Sequence, residues 1–360
     1  MSRLDPMPAS LAERLVARIG ADGPLRFSAF MDAALYDEHG GFYATGGQAG
    51  RRGDFLTSPE VGPLFGAVLA RAIDQWWRDA GSPPRFDVVD AGAGPGTLAR
   101  AVLAADSACA AGGALHYVAV ERAGAQRALH PDAVGSTDRL AVDPIHGVIV
   151  ANELLDNLAF DVAVWDDGWK VATVGATGGR FVELLTAMPA ELAELAATLP
   201  PTAAHGARAP LASGACAWLR GALAMLAAGR LVVIDYARPT SELAATPWRE
   251  WLRTYREHAR GDHPLRDPGS QDITADVPLD QLAAVVRPPD RVVTQARFLA
   301  ENGISELVEE GRQVAVERAH LGDLSALRAR SRLREGDALT DPAGLGGFTV
   351  AEWIVPASRF

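Results

Sequence analysis

In the first 80 residues of the chain, the spacing of apolar side chains predicts helices. Apolar side chains recur every three or four positions over residues 8–20, and a second helical pattern begins near Phe27. A longer helix is predicted after Thr57, which together with Glu60 has the spacing of a capping box. We therefore expect residues 1–80 to form a helical region that can cover a neighbouring site as a lid.

From residue 86 the pattern changes to short apolar runs that alternate with helical segments, which is typical of a parallel sheet with crossover helices. The predicted strands are, in chain order, FDVVDA, LHYVAVE, a weak RLAV, GVIVANE, RLVVIDY and FTVAEWIV. Insertions are expected at about 160–228, opening with a β meander, and at about 237–290. The prediction is an α/β fold: residues 81–360 form a Rossmann-like doubly wound sheet with an N-terminal helical extension and inserted β-meander and helical segments.

Composition narrows the classes of function. The formal charge of −11, from 34 basic and 45 acidic residues, argues against a nucleic-acid partner, which needs a clustered basic face. No run of about 18 apolar residues and no signal-peptide pattern is present, so we expect a cytosolic protein that does not insert into a membrane. The two cysteines, Cys109 and Cys216, are expected in the core, and the scattered histidines predict no metal site. The oligomeric state is left open.

A glycine-rich loop follows the first predicted strand of the sheet. In DAGAGPGT, Gly92, Gly94 and Gly96 allow a ligand to approach the backbone closely at the carboxyl end of the strand, just after Asp90. The next strong strand ends at Glu121, near the distance expected for an acid that accepts hydrogen bonds from a ribose diol. This pair fits both a methyltransferase and an NAD-dependent oxidoreductase. The G-x-G-x-G spacing, which lacks the third glycine of dinucleotide sites, disfavours the oxidoreductase.

A second group of polar residues follows the strand GVIV. The segment ANELLDN presents Asn152, Glu153 and Asp156 at the carboxyl end of that strand, close to the glycine loop in a parallel sheet. Residues that act on a second substrate are expected there. The alternative is that these side chains only cap the next segment or close a turn.

Five motifs, in this order, carry a resemblance to a known family: FMDAALYDEHGGFYATG, GDFLTSPEVGPLFG, DAGAGPGTL, ANELLDNLAFDV and DPGSQDIT. From about residue 25 to 310 the chain resembles the MidA family of methyltransferases, relatives of a mitochondrial complex I assembly factor that methylates an arginine. The resemblance implies a class I methyltransferase fold, S-adenosyl-L-methionine as cofactor with S-adenosyl-L-homocysteine as product, and a protein arginine as acceptor. One departure is Ala237, where the family usually has glycine.

The resemblance also assigns roles to the polar residues. A guanidinium is a planar fork that a carboxylate can hold, so Glu153 and Asp156, with Asn152 beside them, are the catalytic candidates. Methyl transfer is an in-line displacement, which requires alignment rather than a covalent nucleophile. The late insertion contains a polar cluster of Gln271, Asp272 and Thr274. The resemblance alone gives this cluster a function, and it implies that the insertion folds back to place the cluster at the channel for the acceptor.

The loop before the capped helix supplies further candidates for contact with the cofactor, namely Asp54, Phe55, Thr57 and Ser58. The alternative for Asp54 and Thr57 is that they only start the helix. Competing functions also remain open: a methyltransferase for small molecules, and an assembly or binding factor that keeps the fold without turnover.

Overall fold

The computed structural model describes residues 9–45, 57–140, 143–256, 259–321 and 323–357. The α-helices in these ranges are α1 (Leu11–Asp22), α2 (Phe27–Tyr36), α3 (Ser58–Val61), α4 (Pro63–Asp79), α5 (Thr97–Leu103), α6 (Ala108–Ala111), α7 (Gly124–Arg127), α8 (Ala193–Ala196), α9 (Ser213–Met225), α10 (Thr240–Ala245), α11 (Trp248–Trp251), α12 (Leu279–Val285), α13 (Gln295–Glu301), α14 (Ile304–Glu317) and α15 (Leu324–Thr340). Short 3-10 turns lie at Leu155–Asn157, Ala190–Leu192 and Leu345–Gly347.

The strands in the same ranges are β1 (Leu25–Arg26), β2 (Phe86–Ala91), β3 (Leu115–Val120), β4 (Gly135–Thr137), β5 (Ile145–Asn152), β6 (Asp161–Trp165), β7 (Trp169–Thr177), β8 (Arg180–Ala187), β9 (Arg208–Leu211), β10 (Leu226–Asp235), β11 (Leu252–Arg256), β12 (Ala259–Arg260), β13 (Asp272–Ala275), β14 (Arg291–Thr294) and β15 (Thr349–Val355). They form three sheets.

The central sheet has the strand order β14-β15-β10-β5-β2-β3-β4. Strands β10, β5, β2, β3 and β4 are parallel, and β15 is antiparallel to both of its neighbours. Alternate residues bury opposite faces: Val88 and Val148 pack under α4 and α5, whereas Val89 and Ile149 pack under α9 and the meander. Helices therefore cover both faces, and the predicted doubly wound α/β fold is confirmed.

The early insertion is the predicted meander, and it forms a second, antiparallel sheet in which β6, β7 and β8 are joined by β1 and β9. The late insertion forms a small sheet of β11, β12 and β13. Helices α1 and α2 share a core with these two insertions, whereas α4 packs against the central sheet. The helices before residue 80 therefore pack in two different places, and the predicted boundary at residue 80 stays a prediction.

The long helix predicted after Thr57 is broken in two. The side chain of Thr57 makes no capping hydrogen bond, so the predicted capping box is wrong. The break lies at Gly62, where a β-carbon would stand 2.2 Å from the carboxyl carbon of Glu335. That buried carboxylate accepts a hydrogen bond from the backbone N–H of Leu64, at 2.9 Å, and so caps α4 from a distant helix.

Two strands of the central sheet also differ from the sequence expectation. The weak strand expected at RLAV, residues 139–142, lies partly outside the described residues; residues 139–140 are not in a strand, and β4 lies just before them. The edge strand β14 was not predicted. Cys109 and Cys216 are free and buried, as expected. Within the described ranges, no helix has the length and hydropathy needed to span a bilayer.

Candidate functional site

A cavity opens at the edge of the central sheet where β2, β3 and β5 end. It encloses about 770 Å³ of space, including the open solvent at its mouth. Its walls come from the glycine loop, the ends of β3 and β5, and helical segments of the N-terminal region. The lining residues are Tyr36, Tyr43, Thr57, Pro59, Glu60, Asp90, Gly92, Ala93, Gly94, Pro95, Thr97, Leu98, Glu121, Gln126, Asn152, Glu153, Leu154 and Asn157.

The glycine loop forms one wall with a backbone that only glycine adopts easily. Gly92, Gly94 and Gly96 have φ values of 75°, 51° and 79°, in the left-handed region. A β-carbon on Gly92 would lie 3.0 Å from Leu154, and one on Gly96 would lie 3.2 Å from Pro131. A β-carbon on Gly94 would meet nothing within 4 Å, so Gly94 gives the cavity its open face.

Two carboxylates face the glycine loop from neighbouring strands. Glu121 accepts hydrogen bonds from the backbone N–H groups of Gly94 at 3.1 Å and Ala123 at 2.7 Å, and burial raises its pKa. Asp90 accepts a hydrogen bond from the Tyr117 hydroxyl at 3.0 Å, and burial raises the pKa of Asp90 to about 7. These hydrogen bonds fix the position of each carboxylate. The lone pairs that they do not use can accept hydrogen bonds from a ligand in the cavity.

Asn152 and Glu153 line the wall opposite the glycine loop. The Asn152 side chain donates to the Glu153 carboxylate at 3.2 Å, while its own carbonyl oxygen is buried without a hydrogen-bond partner among the described residues. The backbone N–H of Ser58 donates to the same Glu153 oxygen at 3.0 Å. Glu153 has φ of 50°, a left-handed conformation that costs a non-glycine residue about 1–2 kcal/mol. Strain of this kind is concentrated at functional sites.

Burial sets the protonation of Glu153. Loss of hydration raises its pKa to about 8, and the negative charge of Asp156 adds to this effect. The hydrogen bonds from Ser58 and Asn152 oppose the shift without cancelling it. Glu153 can therefore exchange a proton near neutral pH, as a general base must.

Asp156 lies behind this wall rather than on it. Its carboxylate accepts a hydrogen bond from the Thr274 hydroxyl at 2.5 Å and another from the Tyr236 hydroxyl. Asp235 stands beside it and accepts a hydrogen bond from the backbone N–H of Asp156 at 3.3 Å. Burial raises the pKa of Asp156, and burial together with the charges of Asp156 and Glu153 raises the pKa of Asp235. Asn152 and Glu153 line the cavity whereas Asp156 lies behind them, and the catalytic role of the three residues stays a prediction.

The late insertion reaches the same place. Asp272 accepts hydrogen bonds from the Asn157 amide and from the Tyr43 hydroxyl, each at 3.1 Å, and its pKa is raised by burial to about 7. Gln271 instead binds the backbone of its own insertion. We call the carboxyl groups of Glu153, Asp156, Asp235 and Asp272 the acidic cluster. Among the described residues, no group of three or more histidine, cysteine or acidic side chains is placed to hold a metal ion.

Two stacked tyrosines complete the cavity. The rings of Tyr36 and Tyr43 lie 5.3 Å apart at 22°, and burial raises the pKa of both hydroxyls. The guanidinium of Arg122 lies 4.4 Å from the centre of the Tyr36 ring and pairs with Asp32 on α2. These contacts fix α2 against the end of β3.

The four residues predicted in the loop before the capped helix differ in where they lie. Asp54 and Phe55 lie outside the described residues. Thr57 lines the cavity, but Ser58 does not, because its hydroxyl points away and donates to Gln295 at 2.9 Å. Gln126 was missed by sequence reasoning; it is buried on the short helix α7 and lines the cavity.

Residues 68–295 match the family model described as "Putative S-adenosyl-L-methionine-dependent methyltransferase". A crystal structure of a Burkholderia thailandensis protein bound to S-adenosyl-homocysteine is similar to this chain, with a TM-score of 0.81 and 30% identity, and the match covers 97% of this chain and 92% of that one. A native crystal structure from the same organism gives a TM-score of 0.79 at 30% identity, with the same coverage.

Curated relatives match a shorter segment. The "Protein arginine methyltransferase NDUFAF7 homolog, mitochondrial" of Drosophila melanogaster is 39% identical over 102 residues, which cover 28% of this chain and 23% of that protein. The human protein arginine methyltransferase NDUFAF7 is 31% identical over 93 residues, covering 26% of this chain and 21% of that protein. The matched segment thus spans less than a quarter of these relatives. Both relatives are named as mitochondrial, which contradicts the cytosolic location expected from the sequence, and that expectation is wrong.

Proposed function

This chain belongs to the family of S-adenosyl-L-methionine-dependent methyltransferases, and we propose that the group it methylates is an arginine side chain of a protein. The observation that carries the proposal is the acidic cluster beside the cavity. The arginine methyltransferases among the curated relatives support the same acceptor, although they match over a limited segment.

The cavity has the features that S-adenosyl-L-methionine requires. Glu121 lies at the end of the strand after the glycine loop, where a carboxylate can accept hydrogen bonds from the ribose hydroxyls. The carbonyl oxygen of Asn152, which no described residue bonds, and the carboxylate of Asp90 offer acceptors to the ammonium group. The open side of Gly94 leaves space where any other residue would place a side chain. When bound, the cofactor supplies an electrophilic methyl group on a sulfonium.

The acidic cluster favours a cationic acceptor. The carboxyl groups of Asp156, Asp235 and Asp272 are buried, and they lie beside the partly buried Glu153. The nearby Arg253 is already paired with Asp276 at 2.6 Å. Buried carboxylates without a compensating charge are costly, which is why their pKa values rise. A guanidinium that entered beside Glu153 would supply the missing positive charge and five donors in a fixed fork.

Each residue then has a defined task. Glu153 faces the cavity, so we assign it the contact with the guanidinium and the acceptance of the proton that the methylated nitrogen loses. Asp156 and Asp235 lie behind Glu153 and act through their charge. Tyr43 positions Asp272 and Asn157 by its hydroxyl. The stacked faces of Tyr36 and Tyr43 shield the reacting groups from water.

The proposal is tested by separating cofactor binding from transfer. Glu153→Gln keeps the size of the side chain but removes its charge, so S-adenosyl-L-homocysteine should still bind within a few fold while methyl transfer is lost. Glu121→Gln is the matched control, and it should weaken cofactor binding instead. Calorimetric titration beside a methyl-transfer assay measures both, and full activity in Glu153→Gln would refute the assignment.

A further inference from the structure

The glycine loop is bonded on both sides of Gly94 to the segment that follows β3, residues 121–137. The backbone N–H of Gly94 donates to the Glu121 carboxylate at 3.1 Å. The backbone carbonyl oxygen of Gly94 lies 2.9 Å from Nε2 of His130. Within the described ranges, no backbone N–H bonds this carbonyl oxygen, so the imidazole side chain is its partner.

The chemistry of these groups decides which ring nitrogen of His130 carries a hydrogen. A carbonyl oxygen can only accept a hydrogen bond, so Nε2 is the donor to Gly94. Nδ1 lies 2.9 Å from the Ser136 hydroxyl on β4, which can donate to a neutral ring or accept from a charged one. Nε2 therefore donates to Gly94 in either state of the ring, and the contact with Ser136 orients the ring.

Close packing holds the ring of His130 against the glycine loop. A β-carbon on Gly96 would lie 3.3 Å from Cδ2 of the ring, so the glycine lets the ring approach the backbone. Arg100 on α5 bridges the same two segments, because its guanidinium donates to the carbonyl oxygens of Pro95 at 2.9 Å and Leu129 at 3.1 Å. The glycine loop and the segment that carries His130 are thus joined at several points.

The two hydrogen bonds at Gly94 control its backbone torsions. Rotation about φ and ψ moves the two peptide groups that flank its α-carbon, and one group is bonded to Glu121 while the other is bonded to His130. Glycine has more backbone freedom than any other residue, so a free glycine loop must lose this freedom when a ligand binds. A loop that is fixed beforehand binds the ligand more tightly, because less ordering remains to be done.

We propose that His130 is a positioning residue for S-adenosyl-L-methionine. By holding the carbonyl group of Gly94, it keeps the glycine loop in the shape of the cofactor site before the cofactor binds. His130 is not among the residues that line the cavity, so it acts through the loop rather than by contact with the ligand. This role concerns the cofactor alone and holds for any methyl acceptor.

Calorimetric titration of the full chain with S-adenosyl-L-homocysteine tests this role. His130→Phe keeps a ring beside Gly96 but removes the donor to Gly94, and it should raise the dissociation constant about five- to tenfold. His130→Gln retains a side-chain N–H and should restore most of the affinity. His116→Phe is the matched control: it also loses a hydrogen bond of the ring, to Asp87 at 2.9 Å, but at the opposite ends of β2 and β3. Its affinity should be unchanged.

Hydrogen exchange of the ligand-free protein gives a second readout. The backbone amides of Gly94 and Gly96 should exchange faster in His130→Phe than in the unaltered protein, and at the original rate in His130→Gln and His116→Phe. Urea unfolding should show similar losses of stability for His130→Phe and His116→Phe. The comparison separates the loss of loop position from a general loss of stability.

Ser136→Ala tests the same contact without a change to the ring. Ser136 is exposed, so the variant should fold, and the loss of the hydroxyl that orients His130 should weaken binding about two- to threefold. Unchanged affinity in His130→Phe, or in Ser136→Ala where the phenylalanine variant does not fold, would overturn the proposal. Unchanged exchange at Gly94, or a loss of affinity that His130→Gln does not reduce, would overturn it as well.

Discussion

Replacement of Gly94 by alanine should remove cofactor binding at a small cost in stability. The residue has φ of 51°, and its missing side chain leaves open the face of the glycine loop that lines the cavity. An alanine there costs about 1–2 kcal/mol for the left-handed backbone. Its methyl group would also occupy space that the ligand needs. We expect the affinity for S-adenosyl-L-homocysteine to fall at least tenfold.

Gly113 provides a matched control for this change. It has φ of 71°, nothing lies within 4 Å of its β-carbon position, and it is outside the cavity. Gly113→Ala should therefore carry the same cost in backbone strain without any effect on the ligand. The two variants separate the conformational cost from the loss of the site.

Thermal unfolding with and without ligand measures both effects. At 100 times its dissociation constant, a ligand stabilises the folded protein by about 2.7 kcal/mol, and a tenfold loss of affinity at the same concentration leaves about 1.4 kcal/mol. We expect the full stabilisation for Gly113→Ala and half or less for Gly94→Ala. Equal stabilisation of the two variants would show that the open side of Gly94 does not face the ligand, and would refute the assignment of the cavity.

Three further predictions concern the acceptor side and the sheet. Because the pKa of Glu153 is raised to about 8 and the base must be ionised, kcat/KM should rise with pH up to about 8 and then level off; a profile already flat from pH 6 would contradict this role. Tyr43→Phe should lower the free energy of unfolding by about 1–2 kcal/mol and raise KM for the acceptor, while Tyr255→Phe, whose hydroxyl bonds no described residue, should change neither. Gly147→Ala should cost more than about 4 kcal/mol in urea unfolding, since its β-carbon would lie 2.0 Å from the Asp87 carbonyl oxygen, whereas Gly20→Ala on α1 should be neutral or stabilising.

Local sequence signals were sufficient to predict which residues come together at the carboxyl ends of β2 and β3. Strand β2 is an unbroken buried run that leads directly into the glycine loop, so its position and the placement of Gly92, Gly94 and Glu121 follow from chain order and sheet topology. Their place in the cavity depends on backbone conformation and on strand position. Both properties can be read from a short stretch of sequence.

The acceptor side depends on contacts between distant parts of the chain. Tyr43 and Asp272 are 229 positions apart, and neither belongs to a pattern that predicts the hydrogen bond between them. The same holds for Glu335, whose carboxylate caps α4 at the backbone N–H of Leu64 although the two residues are 271 positions apart. The positive φ of Glu153 gives no sequence signal at all, because the strain is imposed by the surrounding fold.

The central claim is that this methyltransferase modifies an arginine held by Glu153. Incubation of the enzyme with an isotopically labelled methyl donor and a cell lysate, followed by mass spectrometry of the modified residues, tests it most directly. Labelled methylarginine should appear on protein with the unaltered enzyme and should be absent with Glu153→Gln, although that variant still binds S-adenosyl-L-homocysteine. Label that appears on a small molecule or another side chain, or on arginine without need of Glu153, would contradict it.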